Sequence, residues 1–217
     1  MQELFRYVCK EPEGEIERIV YLAEFSQELL LKLWDKQKNF RTLMGREILT
    51  FPEFIDFFIT IDPNTKEIKP RGLCFIIDDC VGILWMGDIV WPAYAEVHYT
   101  FFDRRHKGRE QLVGKAIQYI FDTWGINRLY VRVALYAKYP NIFVDLIGFK
   151  HEGRLRSCVQ YRGQWWDTNC YSLLKNEVGS NFLEEIQERV ASFIKRQSER
   201  LTRKAAKLEE VPNVSLG

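Results

Sequence analysis

Residues 97–153 constrain the fold of this chain more than any other stretch. An alternating, aromatic-rich run ends at Phe102, a basic turn containing Gly108 follows, and apolar residues then recur at helical spacing as far as Trp124. Residues 129–135 are rich in apolar and β-branched side chains and predict the next strand. A strand, a glycine turn and a helix N-terminus together create an anion site, because unpaired amides and the helix dipole point at one place.

The composition is that of one globular domain without a strong overall charge. The chain has 217 residues, of which 47% are hydrophobic and 28% charged, and its formal net charge is +1. This balance argues against nucleic acid as a partner. No apolar run is long enough to cross a bilayer, and the five cysteines are scattered without a C-x-x-C pair. We therefore expect a cytoplasmic protein with no membrane contact and no metal site.

Boundary signals place the elements that precede the central stretch. Residues 2–9 predict a first strand. Ser26 is the expected N-cap of a helix within residues 16–34, and Thr50 is the expected N-cap of a second helix. A hairpin of two apolar strands should follow before residue 97. The aromatic side chains of these two helices are expected to pack in the core.

Residues 178–217 differ in character from the rest and predict a long amphipathic helix beyond a domain that spans residues 1–177. The far end of this extension is basic and contains Lys195, Arg196, Arg200, Arg203, Lys204 and Lys207. We expect a protein partner or self-association through residues 180–208. Two other interpretations remain open, a solvated helix face and nucleic-acid binding, and the small net charge ranks the second of these last.

Three segments, in the right order, resemble the GNAT superfamily of N-acetyltransferases. Arg105-x-x-Gly108 is similar to the turn that holds the coenzyme A pyrophosphate, and residues 146–153 resemble the "GFxxEG" segment. The ending at residues 162–174 is similar to that of the branch acetylating ribosomal-protein N-termini. The resemblance implies an α/β (α+β) fold with a mixed central β-sheet flanked by helices, to which the long C-terminal helix is added.

The resemblance also implies transfer of an acetyl group from acetyl-CoA to a protein N-terminal or small-molecule amine. Glu96 and His98 are the candidate bases, since residues two apart share one face of a strand. Tyr139, or alternatively Tyr136, is the candidate acid for the leaving thiolate. The implied cofactor-binding residues are Tyr99, Thr100, Phe101, Arg104, Arg105, Lys107, Gly108, Arg109 and Glu110.

Three positions depart from the family pattern and put acetyl-CoA binding and catalysis in doubt. Glu110 stands where the turn usually has Gly or Ala, Ala137 where an Asn usually contacts the cofactor, and Val144 where the general-acid Tyr usually lies. A second hypothesis therefore stays open. In it, a catalytically degenerate GNAT-fold protein acts as a structural or assembly module through its C-terminal helix, for example in a bacteriophage particle.

Overall fold

The structure, a computed structural model, describes residues 1–11, 14–38, 42–43, 46–48, 50–102 and 108–209. The helices are α1 (Gln27–Gln37), α2 (Phe51–Phe58), α3 (Arg109–Trp124), α4 (Lys138–Ile147) and α5 (Phe182–Glu209). The strands are β1 (Gln2–Glu11), β2 (Gly14–Leu22), β3 (Thr42–Leu43), β4 (Arg46–Glu47), β5 (Ile59–Ile61), β6 (Ile68–Pro70), β7 (Leu73–Ile77), β8 (Gly82–Val90), β9 (Tyr94–Phe101), β10 (Arg128–Ala134), β11 (Lys150–Tyr161) and β12 (Gln164–Leu174).

Eight of these strands form one mixed sheet in the order β1-β2-β7-β8-β9-β10-β12-β11. Neighbouring strands run antiparallel except for β9 and β10, which run parallel and are connected through α3. Helices cover both faces of the sheet, and the long α5 follows the last strand. The predicted mixed sheet flanked by helices with an added C-terminal helix is therefore confirmed.

Each face of the sheet has its own hydrophobic core. On one face, α3, α4 and α5 bury residues such as Ile117, Phe143 and Ile186 against the sheet. On the other face, the buried aromatic rings of α2 pack against Trp85 of β8, with Leu33 of α1 in the same cluster. Side chains alternate between the two cores along each strand, so a polar side chain in β9 or β10 faces a definite side.

The predicted helix caps form as expected. The Ser26 hydroxyl accepts from the Leu29 amide at 3.2 Å and starts α1. At α2 the capping is reciprocal, since Thr50 Oγ1 accepts from the Glu53 amide at 3.4 Å and Glu53 Oε2 accepts from the Thr50 amide at 2.9 Å. These caps fix the two helices over the face of the sheet that carries Trp85.

The parallel strands β9 and β10 separate within the sheet. Their pairing covers Tyr94 to Glu96 of β9 opposite Arg128 to Tyr130 of β10 and ends there. Beyond Glu96, β9 still pairs with β8 as far as Phe101, and β10 still pairs with β12 as far as Ala134. A gap therefore opens between the carboxyl-terminal halves of these two adjacent strands. In the chain, β9 is followed by α3 and β10 by α4.

Helix α5 is docked in its first half and exposed in its second. Phe182 and Ile186 are buried, and Arg189 donates from Nε to the Leu146 carbonyl at 2.8 Å, at the end of α4. Further along, Ile194 is 60% exposed and Leu201 is 67% exposed. The start of the extension thus belongs to the core of the fold, while the division at residue 177 and a partner for the exposed half remain predictions.

No helix in the described part of the chain is both long enough and apolar enough to cross a membrane. Within the same residues, no three His, Cys, Asp or Glu side chains are grouped so that they could hold a metal ion.

Close packing of α3 against α5 makes Gly114 sensitive to any side chain. A Cβ at this position would lie 2.4 Å from Ile186 Cδ1, and Ile186 is completely buried. We expect Gly114→Ala to lower the free energy of unfolding by about 1–3 kcal/mol through overpacking, as measured by urea denaturation. Gly153→Ala is the matched control because a Cβ there meets nothing within 4 Å. Equal stability of the two variants would contradict this interpretation of the α3–α5 contact.

Candidate active site

A cavity of about 400 Å³ lies on the face of the sheet covered by α1 and α2. It is large enough for a small-molecule ligand. Its walls come from α2, from the middle strands of the sheet and from β11 and β12. The lining residues are Asp56, Phe57, Arg71, Trp85, Gly87, Asp88, Glu96, His98, Arg132, Ala134, Cys158, Val159 and Thr168.

An ion pair joins the two strands at the floor of this cavity. Arg132 donates from Nε to Glu96 Oε1 at 2.7 Å and from Nη2 to Glu96 Oε2 at 2.7 Å. Asp88 lies 3.8 Å from Arg132 Nη2. Glu96 is only 5% exposed, so its charge requires this bidentate partner.

His98 is the second neighbour of the Glu96 carboxylate. Its Nε2 atom lies 3.4 Å from Glu96 Oε1. Burial alone would raise the pKa of Glu96, but the hydrogen bonds from His98 and Arg132 lower it to about 2. Glu96 is therefore ionised at neutral pH and accepts a hydrogen bond from the His98 ring, which fixes the orientation of that ring.

A second, smaller cavity adjoins His98 from the other face of the sheet. It has a volume of about 10 Å³ and an apolar lining that includes Val97, Tyr99, Val131 and Val144. Among the described residues, His98 is the one that lines both cavities. His98 thus borders both a polar cavity on the α1–α2 face, where its ring lies beside Glu96, and an apolar space on the opposite face of the sheet.

Backbone groups of β9 point into that gap. The Phe102 amide donates to the Val81 carbonyl at 2.9 Å, on the β8 side. Because amides alternate sides along an antiparallel strand, Thr100 also faces β8, whereas the Tyr99 and Phe101 amides face the β10 side. Of the three predicted β9 contacts, Tyr99 and Phe101 are therefore oriented towards the gap.

The Tyr99 side chain packs beneath α4. Its ring centroid lies 4.2 Å from that of Phe143, and its hydroxyl donates to the Pro140 carbonyl at 3.3 Å. Burial raises the pKa of Tyr99 well above its ordinary value. The phenol is consequently neutral and holds α4 against β9.

The N-terminus of α3 faces the same region. Its N-cap, Gly108, adopts a left-handed conformation with φ of 67°, and no side chain of the described residues forms a capping hydrogen bond there. The guanidinium carbon of Arg109 lies 4.7 Å from the centroid of the Tyr139 ring. The start of α3 therefore combines helix amides with at least one cationic side chain.

Glu110 is turned towards α4. Its Oε1 accepts from the Tyr139 hydroxyl at 2.8 Å, and partial burial together with this carboxylate raises the pKa of Tyr139. Tyr139, the predicted acid, therefore already donates its hydroxyl hydrogen to Glu110. The other tyrosine considered for this role, Tyr136, stacks on Tyr161 with a centroid distance of 4.3 Å.

The remaining predicted positions fall into two groups. Arg104, Arg105 and Lys107 lie outside the described residues. Ala137 is the N-cap of α4 and has no side-chain capping bond, while Val144 is buried and lines the small apolar cavity. Neither Ala137 nor Val144 supplies a polar group to the gap.

Sequence reasoning missed Arg132 and Arg71, two cationic residues that line the large cavity. A signal was present for Arg132, since an arginine inside the apolar strand at residues 129–135 requires a partner when it is half-buried. No comparable signal marked Arg71, because an arginine in a loop between strands is ordinarily solvated.

Comparisons with known proteins agree with this geometry. Residues 73–170 match the family described as the acetyltransferase (GNAT) domain. A chimera of the spermidine N-acetyltransferase SpeG from Vibrio cholerae with hSSAT superposes with a TM-score of 0.56 at 17% identity, covering 73% of this chain and 97% of that chain. No curated protein matches the sequence significantly.

Two further structures show the same likeness. A ribosomal-protein alanine acetyltransferase from Vibrio fischeri has a TM-score of 0.56 at 15% identity, over 75% of this chain and 95% of its own. A GNAT-family acetyltransferase from Bacillus anthracis has a TM-score of 0.56 at 14% identity, over 74% and 96%. The chain therefore has the GNAT fold, and residues 73–170 match the model of the GNAT acetyltransferase domain.

Proposed function

We propose that this protein transfers an acetyl group from acetyl-CoA to a primary amine. The observation that carries the proposal is the position of His98 between the large polar cavity and the gap that separates β9 from β10. An amine in the cavity and a thioester in the gap would meet at this side chain. The GNAT fold supports the same reaction class, although fold alone does not determine function.

The residues of the gap fit the proposed cofactor. The Tyr99 amide faces the gap, and the uncapped N-terminus of α3 with Arg109 suits a pyrophosphate. When bound, acetyl-CoA supplies the acetyl group as an activated thioester. Arg104, Arg105 and Lys107 would add positive charge to the same turn, as the family resemblance implies.

His98 is assigned the role of the base in this proposal. It removes the proton from the acceptor ammonium, so that the nitrogen lone pair can form the new N–C bond. The sequence favours Glu96 over His98 as the base, but a carboxylate with a pKa of about 2 is a weak base at neutral pH. Glu96 and Arg132 instead position the imidazole.

Carbonyl polarisation and departure of the thiolate complete the reaction. The Tyr99 N–H donates to the carbonyl oxygen as negative charge develops there. With acetyl-CoA bound, the C–S bond would break, and the second proton that the acylated nitrogen must lose would pass to the departing sulfur, since a thiol has an ordinary pKa of about 8.5. A tyrosine at the position of Val144 is therefore dispensable, and Tyr139 would serve as an acid only after turning away from Glu110.

The acceptor class follows less directly from these residues. One solved relative acts on spermidine and another on a ribosomal protein, with equal TM-scores. The resemblance to the ribosomal-protein branch thus remains a prediction beside the broader class of small-molecule amines.

Calorimetric titration of the purified protein with acetyl-CoA, followed by an acetylation assay on a panel of amines, tests the proposed function. We expect micromolar binding and the release of one thiol for each amide formed. Absence of binding at millimolar acetyl-CoA would refute the proposal. Binding without transfer to any amine would leave a GNAT-fold protein that senses the cofactor and does not use it.

Glu110 should weaken cofactor binding without preventing it. Its carboxylate lies in the first turn of α3, where a bound pyrophosphate would meet it, although the side chain is turned to Tyr139. Removing a negative charge that repels a bound anion at a helix N-terminus should make the free energy of binding more favourable by about 1 kcal/mol. We therefore expect Glu110→Ala to tighten acetyl-CoA binding about threefold to tenfold, as measured by calorimetry.

Asp122→Ala is the matched control for this variant. Asp122 is an exposed acid at the opposite end of the same helix. Its removal changes the net charge equally but should leave the affinity within about twofold. Weaker binding by Glu110→Ala would contradict the prediction and would show that the Glu110–Tyr139 hydrogen bond supports the binding conformation.

A further inference from the structure

The large cavity contains two arginines with different surroundings. Arg132 is matched by carboxylates, since it pairs with Glu96 at 2.7 Å and lies 3.8 Å from Asp88. Arg71 donates from Nε to the Ile59 carbonyl at 3.1 Å. Among the residues that the structure describes, no carboxylate forms an ion pair with Arg71. Arg71 is thus the unmatched cation of the cavity wall.

Hydrogen bonds to backbone carbonyls hold Arg71 in place in the wall of the cavity, where it is exposed. Its main-chain amide donates to the Phe58 carbonyl at 2.8 Å, and its Nε–H is taken up by Ile59. An arginine has five N–H donors in a planar fork, so the two terminal nitrogens keep four of them. Such a fork binds a carboxylate through two parallel hydrogen bonds.

Asp56 is the unmatched anion of the same lining. It lies on α2, is exposed, and forms no ion pair with Arg71. Two opposite charges line one cavity without neutralising each other, which suits a ligand that carries both signs. A zwitterionic amine meets this requirement, because its ammonium is attracted by Asp56 on the way to His98 and its anion is bound by Arg71.

We propose that the acceptor is an amine that also carries a carboxylate, and that Arg71 binds this carboxylate. The inference rests on the proposed acetyl transfer and adds the chemical class of its substrate. Arg71 determines specificity in the cavity wall, while His98 acts on the amine. The separation of the two groups in the preferred substrate reports the distance between these sites.

Matched pairs of acceptors test the proposal: 4-aminobutyrate against butylamine, 5-aminopentanoate against pentylamine, and lysine against cadaverine. We expect kcat/KM of the wild type to favour the acid of the best pair about 10- to 100-fold, as one charge-assisted bidentate contact would give. Arg71→Gln should reduce this ratio to near one, mainly by raising KM for the acid. Arg71→Lys should retain part of the preference, because it keeps the charge and loses the fork.

Lys69→Gln is the control for loss of a nearby positive charge. Lys69 is exposed, lies 3.6 Å from Asp62 and 3.4 Å from Glu67, and is absent from the cavity lining. The acid-to-amine ratio of this variant should equal that of the wild type. Thermal unfolding of each variant then shows whether a change in kcat/KM comes from weaker substrate binding or from a loss of stability when the hydrogen bond from Arg71 to Ile59 is removed.

Each other outcome has a definite meaning. Failure of every amine to be acetylated would refute the proposed function itself. Turnover with no preference for the acids, or a preference that Arg71→Gln leaves intact, would overturn the inference alone. An equal loss for both members of a pair, with a lower melting temperature, would show that Arg71 is structural. A preference for cadaverine that Asp56→Asn abolishes would identify a polycationic acceptor and would also overturn it. If O-phosphoethanolamine were the best substrate, the anion bound by Arg71 would be a phosphate, and the assignment of a carboxylate would be overturned.

Discussion

Replacement of His98 by alanine is expected to lower kcat about 10²- to 10⁴-fold, which is the usual contribution of a positioned general base. Acetyl-CoA affinity should stay within about twofold, because the start of α3 and the Tyr99 amide are unchanged. Steady-state acetylation of the best amine gives the first quantity, and calorimetry gives the second.

His151→Ala is the matched control for the base. His151 lies on β11, is exposed, and packs edge-on against Tyr171 with a centroid distance of 5.2 Å. It does not line the cavity that contains His98. A loss of activity shared equally by both variants would exclude His98 as the proposed base.

The periodic parts of the fold could be predicted from the sequence. Helical spacing between Leu112 and Trp124 gave α3, and the side-chain hydroxyls of Ser26 and Thr50 marked the starts of α1 and α2. Strand alternation also put Glu96 and His98 on one face, where the structure brings them together. These features depend on residues that are close in sequence.

Strand β2 was missed because helical and strand periodicities overlap over a short apolar run. Residues 16–34 were expected to contain a helix, and they do, but Gly14–Leu22 forms a strand before it. The long hairpin of β1 and β2 depends on cross-strand pairing, in which Gln2 meets Leu22. Such pairing is a tertiary property and overrides local propensity.

The electrostatic part of the site could not be predicted for the same reason. Arg132 lies 36 positions from Glu96 in sequence, and the hydroxyl that binds Glu110 belongs to Tyr139, 29 positions away. Without these partners, Glu96 is an obvious candidate base and Glu110 an uncompensated charge facing phosphate. The ion pair and the hydrogen bond change both interpretations.

The hypothesis of a structural or assembly module is less well supported than the acetyltransferase hypothesis, but one structural feature still fits it. The comparisons give it no support, since the solved structures named above are acetyltransferases. The exposed Ile194 and Leu201 on the second half of α5 are the surface on which it would depend. The residues proposed for acetyl transfer do not include these two side chains, so the two hypotheses do not exclude each other.

Removal of Arg132 should produce the largest loss of stability at the site. Arg132→Met leaves the Glu96 carboxylate, which is 5% exposed, without its bidentate partner. We expect the free energy of unfolding at pH 7 to fall by about 2–3 kcal/mol. This is less than the range of about 3–5 kcal/mol for a fully buried pair, because the Arg132 side chain is 37% exposed and water screens it. Urea denaturation measures the change.

The pH dependence of the effect follows from the low pKa of Glu96. Because the folded value of about 2 lies below the ordinary value, this carboxylate stabilises the wild type above about pH 4.3 and stops doing so as the pH falls towards 2. The difference between wild type and Arg132→Met should therefore narrow over that interval. The double variant Glu96→Gln/Arg132→Met should recover most of the lost stability at pH 7, since it removes both charges.

Arg128→Met is the control, because its partner Glu152 is 40% exposed and such pairs contribute less than about 1 kcal/mol. Equal losses for Arg132→Met and Arg128→Met would mean that Glu96 does not depend on Arg132 for its charge. Glu96 would then again be a candidate for the base.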